Sequence, residues 1–457
     1  MTVGLLAAHI NDAALSVLDD NKVHYREPGF ALLDDNELTT GNEAFAQARV
    51  KPRRIQNAYW SELHATPLVD RHFQHLSAAD LVSRQLEQIW KRVASRGDRL
   101  IVAVPAYMRP DNLSLLLGIA AELQIPIVAM IDAAVAATRR EYRGAVPTHV
   151  DLSLHSTVLT RVTQAGQAQV DRSSVVDGSG IIALYDAWIA LIAETFVQQS
   201  RFDPLHTAET EQMLQDKLQD WLTAAAVGEI VSLEIEYRGI SHEAQVESLE
   251  LVAAAAPIYH RIVSNLRALY RADETPALQL SDRAARMPGL ADILVARVGG
   301  EVFLQEPGAT ARGLLSRCRD MRPGDGAISL IRQLPWDQTA VELRKTSSVR
   351  QGGQPTHLLF GNTAFAIDSN PLTFGSQPGD GERCVDLQQD MPGVSRRHCS
   401  VQQENGQCIV RDFSRYGTFL NGHRIDGSAV LQVGDLIRLG TPGYELRLIT
   451  TASEHGS

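Results

Sequence analysis

Two short stretches carry residue types that could do chemistry. In "DLSLHST", residues 151 to 157, Asp151 follows an apolar run and His155 lies four positions on. A carboxylate at a strand end can meet a metal-bound phosphate, and an imidazole can move protons or ligate a metal. In "SRRH", residues 395 to 398, the Ser395 hydroxyl precedes two cations, Arg396 and Arg397. That is a donor set for a phosphate group. Asp12 and Asp132 offer carboxylates by position alone, and His9 with His155 offers two imidazoles. Lone histidines in strands are usually satisfied structural groups, and Asp151 by itself reads as a turn or capping residue. Neither a catalytic residue nor a metal-ligand set is expected.

The elements that must position these groups fall in a chain of 457 residues, 44% hydrophobic and 21% charged, long enough for two or three domains. The net charge of −11 is spread along the chain, which argues against a nucleic-acid partner. Four irregularly spaced cysteines fit reduced thiols and a cytoplasmic setting. The N-terminus lacks a basic n-region and contains Asp12, so no signal peptide is read. The apolar run "IIALYDAWIALIAETF" carries Asp186 and Glu194, which argues against a plain membrane span.

Residues 1–320 alternate strands and helices. Three short strands come first, then a helix opened by Ser77 and Asp80 as a capping box, then "RLIVAVP" and "IPIVAMI" as buried strands separated by a helix, with "DAAVAATRREY" as a further helix after them. A second half repeats this grammar, with "SLEIEYRGISHEAQV" read as a strand turning into a helix, so a two-lobed α/β domain is expected. Residues 321–355, rich in Gly, Ser, Pro and charge, read as a flexible linker. Residues 356–450 show short β-patterned runs between turn residues, an all-β sandwich.

The stretch "IVAVPAYMRPDNLSLLLGIAAELQIPIVAMIDAAVAA" resembles the DnaK-type heat-shock ATPase domain of the actin-like superfamily, and further blocks extend the resemblance over most of residues 1–315. It implies a two-lobed actin-like fold, duplicated and ribonuclease H-like, with ATP and magnesium between the lobes. The implied nucleotide contacts are degraded. Leu6 stands at the acidic position of the first phosphate loop, with Ala8 and His9 replacing its glycine and threonine. In the second loop Asp151 survives, but Ser153, Leu154 and His155 take glycine positions, where a Cβ hinders backbone approach to phosphate. Ser281 and Asp282 replace the glycines against the nucleoside, and Asp132, Ala133 and Ala134 replace a Glu-Pro-Thr hinge. A degenerate nucleotide site without cofactor is therefore expected, a pseudo-ATPase. Neither the peptide-binding domain nor the lid of such chaperones follows.

The blocks "LTFG", "SRRH", "YGTFLNG" and "LQVGDLIRLG", in this order, resemble a forkhead-associated (FHA) domain. The resemblance implies recognition of phosphothreonine peptides through Ser395, Arg396 and Arg397, with His398, Asn421 and Gly422 structural. Two positions depart from the family: Ser376 stands for a phosphate-binding arginine, and Tyr416 for an asparagine that holds the peptide backbone. Arg415 or Arg383 would have to supply the missing cation, and Thr346 of the linker is a candidate phosphosite. The expected protein is a non-enzymatic scaffold that docks a protein partner, threonine-phosphorylated or not, with no nucleic-acid or membrane partner. Its alternative is an ATP-dependent switch governing what the C-terminal module holds. The pairing suits bacterial signalling, secretion or envelope assembly.

Overall fold

The chain divides into two units, Met1–Leu343 and Arg344–Ser457. The computed structural model describes residues 4–343 and 355–449 except 36, 227, 272, 322–327, 361–362, 380–382, 388–393, 421–422, 434 and 441–443. Thr346, Asn421 and Gly422 lie outside the described residues.

The first unit is mixed α/β and carries the same strand pattern twice. Strands β1 (Leu5–His9), β2 (Leu15–Leu18) and β3 (Val23–Glu27) form an antiparallel meander, beside which β4 (Arg99–Val104) and β5 (Ile127–Asp132) run parallel to β1. The second sheet repeats this with β6 (Val146–Leu152), β7 (Ser156–Thr163) and β8 (Ala168–Asp177) as the meander and with β11 (Pro276–Leu280) and β12 (Glu301–Leu304) parallel to β6. Between them in sequence lies a separate hairpin, β9 (Ile230–Tyr237) with β10 (Ile240–Glu247).

Helices follow from the apolar spacing. Helix α1 (Ala78–Val93) starts at Ser77, whose hydroxyl accepts from the Asp80 N–H while the Asp80 side chain accepts from the Ser77 N–H, the expected capping box. It buries Leu81, Val82, Leu86, Ile89 and Val93 against the first sheet's core. Helix α2 (Pro110–Glu122) opens on a proline, whose fixed φ suits a first turn. Helix α3 (Ile181–Ser200) is long and apolar enough to cross a membrane by length and composition alone. Here Leu184, Trp188, Ile192 and Phe196 are buried in the second sheet's core, so it is a core helix of this unit.

Three expectations are corrected. The stretch after β9 does not turn into a helix; Arg238 and Gly239 both adopt positive φ, the backbone of a two-residue hairpin turn, and alternation at Ala244 and Val246 buries one face of β10. The helix then begins only at Ser248. After β5 the helix is a single short piece, Ala133–Ala137, because the chain leaves it at Thr138 in an extended conformation.

The third correction concerns the interval 321–355. Its described part is fastened to the first unit. Strand β13 (Leu330–Ile331) adds parallel to β5 at one edge of the first sheet, and β14 (Gln333–Leu334) adds antiparallel to β8 at an edge of the second. Val341–Glu342 pairs with Tyr142–Arg143, and Arg139 grips Asp337 through Nε at 3.0 Å and Nη2 at 2.5 Å. Composition had suggested a tether, but Leu334 is fully buried and Trp336 packs against the cluster of Ile101, Ile131 and Leu314.

The second unit is a two-sheet sandwich. One sheet holds, in order, Thr363–Ala366, His357–Phe360, Tyr444–Ile449, Leu436–Leu439, Thr418–Leu420 and His423–Arg424; the other holds Cys384–Asp386, Leu372–Gly375, Cys399–Glu404, Gln407–Asp412 and Ser428–Leu431. Inward-facing Leu358, Phe374, Val401, Val410, Ile437 and Leu448 fill the space between them.

Gly180, at the start of α3, tests how tightly the first unit is packed. A Cβ there would meet the Leu154 carbonyl and lie 2.5 Å from the His155 carbonyl carbon and the Ser156 nitrogen, all backbone atoms that cannot rotate away. Gly180→Ala is expected to destabilise the unit by about 2 kcal/mol or more. Gly118, in α2, has nothing within 4 Å of its ideal Cβ, so Gly118→Ala should instead stabilise by about 0.5–1 kcal/mol. Urea denaturation of the two variants checks both signs.

Candidate functional site

The turn joining β1 to β2 and the turn joining β6 to β7 face each other, and side chains bridge them directly. Asn11 donates from Nδ2 to Asp151 Oδ2 at 2.8 Å and to the Leu152 carbonyl at 3.1 Å. Asp12 Oδ1 accepts from the Leu154 N–H at 2.8 Å. Arg283, just after β11, donates from Nη2 to both Asp151 oxygens at 2.8 and 3.1 Å and from Nε to the Leu152 carbonyl. All four side chains are buried. The cation beside the surviving carboxylate is thus the chain's own guanidinium.

The backbone donors are occupied too. The Ser153 N–H and hydroxyl both reach the Ser156 carbonyl, at 2.9 and 2.8 Å, closing a tight turn. The first amides of α3, Ile181 and Ile182, donate to the carbonyls of Ser153 and Leu154. Helix N-termini and glycine-rich turns bind phosphate through free N–H groups aimed at one point. Here those amides serve the fold.

The remaining expected positions scatter. Leu6 is not part of the site: the pleat of β1 sends it with Ala8 and Ile10 into the core under α1, while Ala7 and His9 face the other way. His9 lies 3.7 Å from Asp151 Oδ2, whereas His155 points to Asn57, with Nε2 at 3.1 Å from its Oδ1, so the two imidazoles do not meet. Ser281 is the N-cap of the short helix Asp282–Ala285. Asp282 pairs with Arg26 at 2.6 Å and Arg286 at 3.2 Å. Asp132 caps Ala133–Ala137 by accepting from the Ala134 N–H. Among the described residues no group of three or more His, Cys, Asp or Glu is placed to hold a metal ion.

Charge states follow from this packing. Burial opposes ionisation of Asp151, but Arg283, His9 and His149 outweigh it and hold the carboxyl well below the usual range. Burial lowers the His9 pKa to about 4, only partly offset by Asp151, so the ring is neutral near pH 7. Asp12 goes the other way: burial raises it to about 6 against the Leu154 N–H and other opposing contacts, and its Oδ2 has no hydrogen-bond partner among the described residues. Sequence reasoning missed Asn11, Arg26 and Arg283. The signal was present in "SDRAARMP", where two arginines three apart follow a strand end.

Beside these turns opens a cavity of about 340 Å³ lined by Arg26, Phe30, Phe45, Tyr185, Gln219 and Arg286. Arg49 crosses to the other half of the unit, donating from its side chain to Asp186 and Gln215 at 2.6 Å each.

The second unit gathers its expected residues at one end. His398 is fully buried; its Nδ1 accepts from the Ser395 N–H at 3.1 Å and its Nε2 lies 3.2 Å from the Gly417 carbonyl, tying two loops together. Ser395 Oγ accepts from the Arg415 N–H at 3.0 Å, and the Ser376 N–H donates to the Ser395 carbonyl at 3.1 Å. Ser376, Ser395, Arg396, Arg397, Arg415 and Tyr416 therefore do converge. Arg396 and Arg415 are exposed and have no carboxylate partner among the described residues. The Arg397 guanidinium sits 4.3 Å from the Phe413 ring centroid, a cation–π contact. Arg383 does not belong to this end: it pairs with Asp368 and donates to the Asn370 carbonyl at 2.8 Å, before the strand Leu372–Gly375 begins.

The buried Asp12 carboxyl gives a pH-dependent prediction. Because its folded pKa of about 6 lies above the ordinary 3.8, its contribution to stability is full below the lower value and is lost as pH rises through the higher one. Asp12→Asn keeps the acceptor for Leu154 and removes the ionisation, so it should stabilise the chain by roughly 1–3 kcal/mol at pH 8. The gain should vanish near pH 4, as read by urea denaturation at both pH values.

Compared with known proteins, the chain matches no curated protein. Its residues 372–440 match the sequence model of the FHA domain, the stretch that carries the loops of Ser376, Ser395 and Arg415. The second unit thus contains an FHA domain.

Proposed function

We propose that the chain is a non-enzymatic adaptor in which the FHA domain docks a protein partner phosphorylated on threonine. The observation that carries this reading is the pair of exposed guanidiniums, Arg396 and Arg415, beside the Ser395 hydroxyl, neither with a carboxylate partner among the described residues. A dianionic phosphate accepts several charge-assisted hydrogen bonds from such a set. Arg415, next to the Ser395 contact, is the residue we assign to replace the arginine absent at Ser376. Four unpaired cysteines suit a reducing, cytoplasmic setting.

The first unit, on this reading, is a degenerate actin-like domain of the DnaK type that offers a second protein a large surface. Support comes from the strand pattern that recurs in both sheets and from the two facing turns. The absence of ATPase activity is argued from Arg283, which places a buried cation on Asp151 where a metal-bound phosphate would have to come. The rival is a nucleotide-dependent switch. It is favoured by one observation, the cavity beside Arg26, Tyr185 and Arg286.

Two measurements test these readings. Arg396→Ala and Arg415→Ala should each weaken binding of a phosphothreonine peptide by about 10–100-fold, the loss expected for one charge-assisted contact; unchanged affinity in calorimetry would sink the docking site. Millimolar ATP with magnesium should leave the melting temperature unmoved. A bound nucleotide at a hundred times its dissociation constant would add about 2.7 kcal/mol of stability and would favour the switch.

A further inference from the structure

The docking loops carry more positive charge than one phosphate uses. Besides Arg396, Arg397 and Arg415, Arg424 lies over the same loop: its side chain packs on Gly417, where a Cβ would come 2.7 Å from its Nε. Gly417 is the residue whose carbonyl meets His398 and whose N–H donates to Ser414 Oγ, so Arg424 sits on the clamp that sets the loops. Like Arg396 and Arg415, it is exposed and has no carboxylate partner among the described residues. The nearby Asp412 carboxylate does not neutralise this group, because it is turned into its own loop, accepting from Ser414 N–H and Thr418 Oγ1 at 2.9 and 2.8 Å. Four guanidiniums thus face one end of the domain. A single phosphate takes about two of them in bidentate fashion.

Resting on the phosphothreonine reading above, we propose that this site selects a peptide carrying a second anion close to the phosphothreonine, an aspartate, a glutamate or another phosphate, with Arg424 as its receptor. Uncompensated like charges at this density repel one another, and a ligand with two separated anions relieves that repulsion where one with a single phosphate does so only in part. The same charge argument disfavours the chain's own Thr346. That residue is flanked by Arg344, Lys345 and Arg350, which would add cations to a cationic surface. The partner is therefore another protein, with an acidic segment.

The test is a calorimetric comparison on the full chain with four peptides: phosphothreonine flanked by alanines, the same with aspartates on both sides, the unphosphorylated aspartate peptide, and a phosphorylated peptide of the Thr346 segment. Aspartate flanks should tighten binding by about tenfold over alanine, and the advantage should shrink to about threefold or less at high salt. In Arg424→Gln, with its melting temperature checked, the ratio of the two affinities should collapse to within about twofold. Equal binding of the alanine and aspartate peptides, both dependent on phosphate, would overturn the proposal and leave the phosphothreonine reading intact. Tighter binding of the Thr346 peptide than of the alanine peptide would overturn it too. No preference for any phosphorylated peptide would remove the underlying reading and the proposal with it. The salt series on the unaltered chain decides the matter even where the variant fails to fold.

Discussion

A buried guanidinium and a buried carboxylate must find each other, and in the first unit the pair Arg283–Asp151 governs what surrounds it. Removing two charges from water is costly, and the mutual attraction offsets that only when the remaining donors and acceptors are also satisfied. Asn11 takes one lobe of Asp151, and the Leu152 carbonyl takes Arg283 Nε. Once this is done, the two turns are held at hydrogen-bond distance, and the Asp12 contact with Leu154 follows as a second tie between them. Arg26 and Arg286 then balance Asp282, so Asp151 and Asp282 each have a cationic partner. A metal ion at Asp151 would have to displace this internal ion pair.

The FHA end solves the opposite problem. There the clamp is neutral and buried, His398 joining Ser395 to Gly417, and the cations are left at the surface. Burial lowers the His398 pKa, so the clamp remains an imidazole whose two nitrogens serve two different loops. Gly375 has no room for a side chain because the Arg396 carbonyl presses on it, which fixes the height of the loop from below. The charged residues therefore work from a rigid platform, a condition for selective rather than merely adhesive binding.

Much of this was legible in the sequence. The parallel strands read as unbroken apolar runs because both faces are covered, the Ser77 capping box marked its helix, and the FHA loops announced themselves by ordered blocks. What failed did so for identifiable reasons. Leu6 was misplaced because it lies on the core-facing side of β1, and along a strand neighbouring positions alternate between opposite faces. The β9–β10 hairpin was hidden because Arg238 enters a left-handed conformation that its residue type rarely takes. Arg283 was overlooked because no local pattern tells that an arginine will reach a carboxylate 132 positions away in the chain.

The strand pair Leu330–Ile331 and Gln333–Leu334 has a consequence for how the protein is made. Each half of the first unit ends in a sheet edge, β5 in one and β8 in the other, and both edges stay open until the chain has been extended past residue 334. An unpaired edge is a template for pairing with another strand. On the ribosome, the edge residues Met130, Ile131, Ala168 and Gln169 therefore gain these strand partners only once residues 330–334 have emerged. A polypeptide ended at residue 320, where composition places the border, would leave those edge residues unpaired on that side and remove Leu334 and Trp336 from the core they pack into.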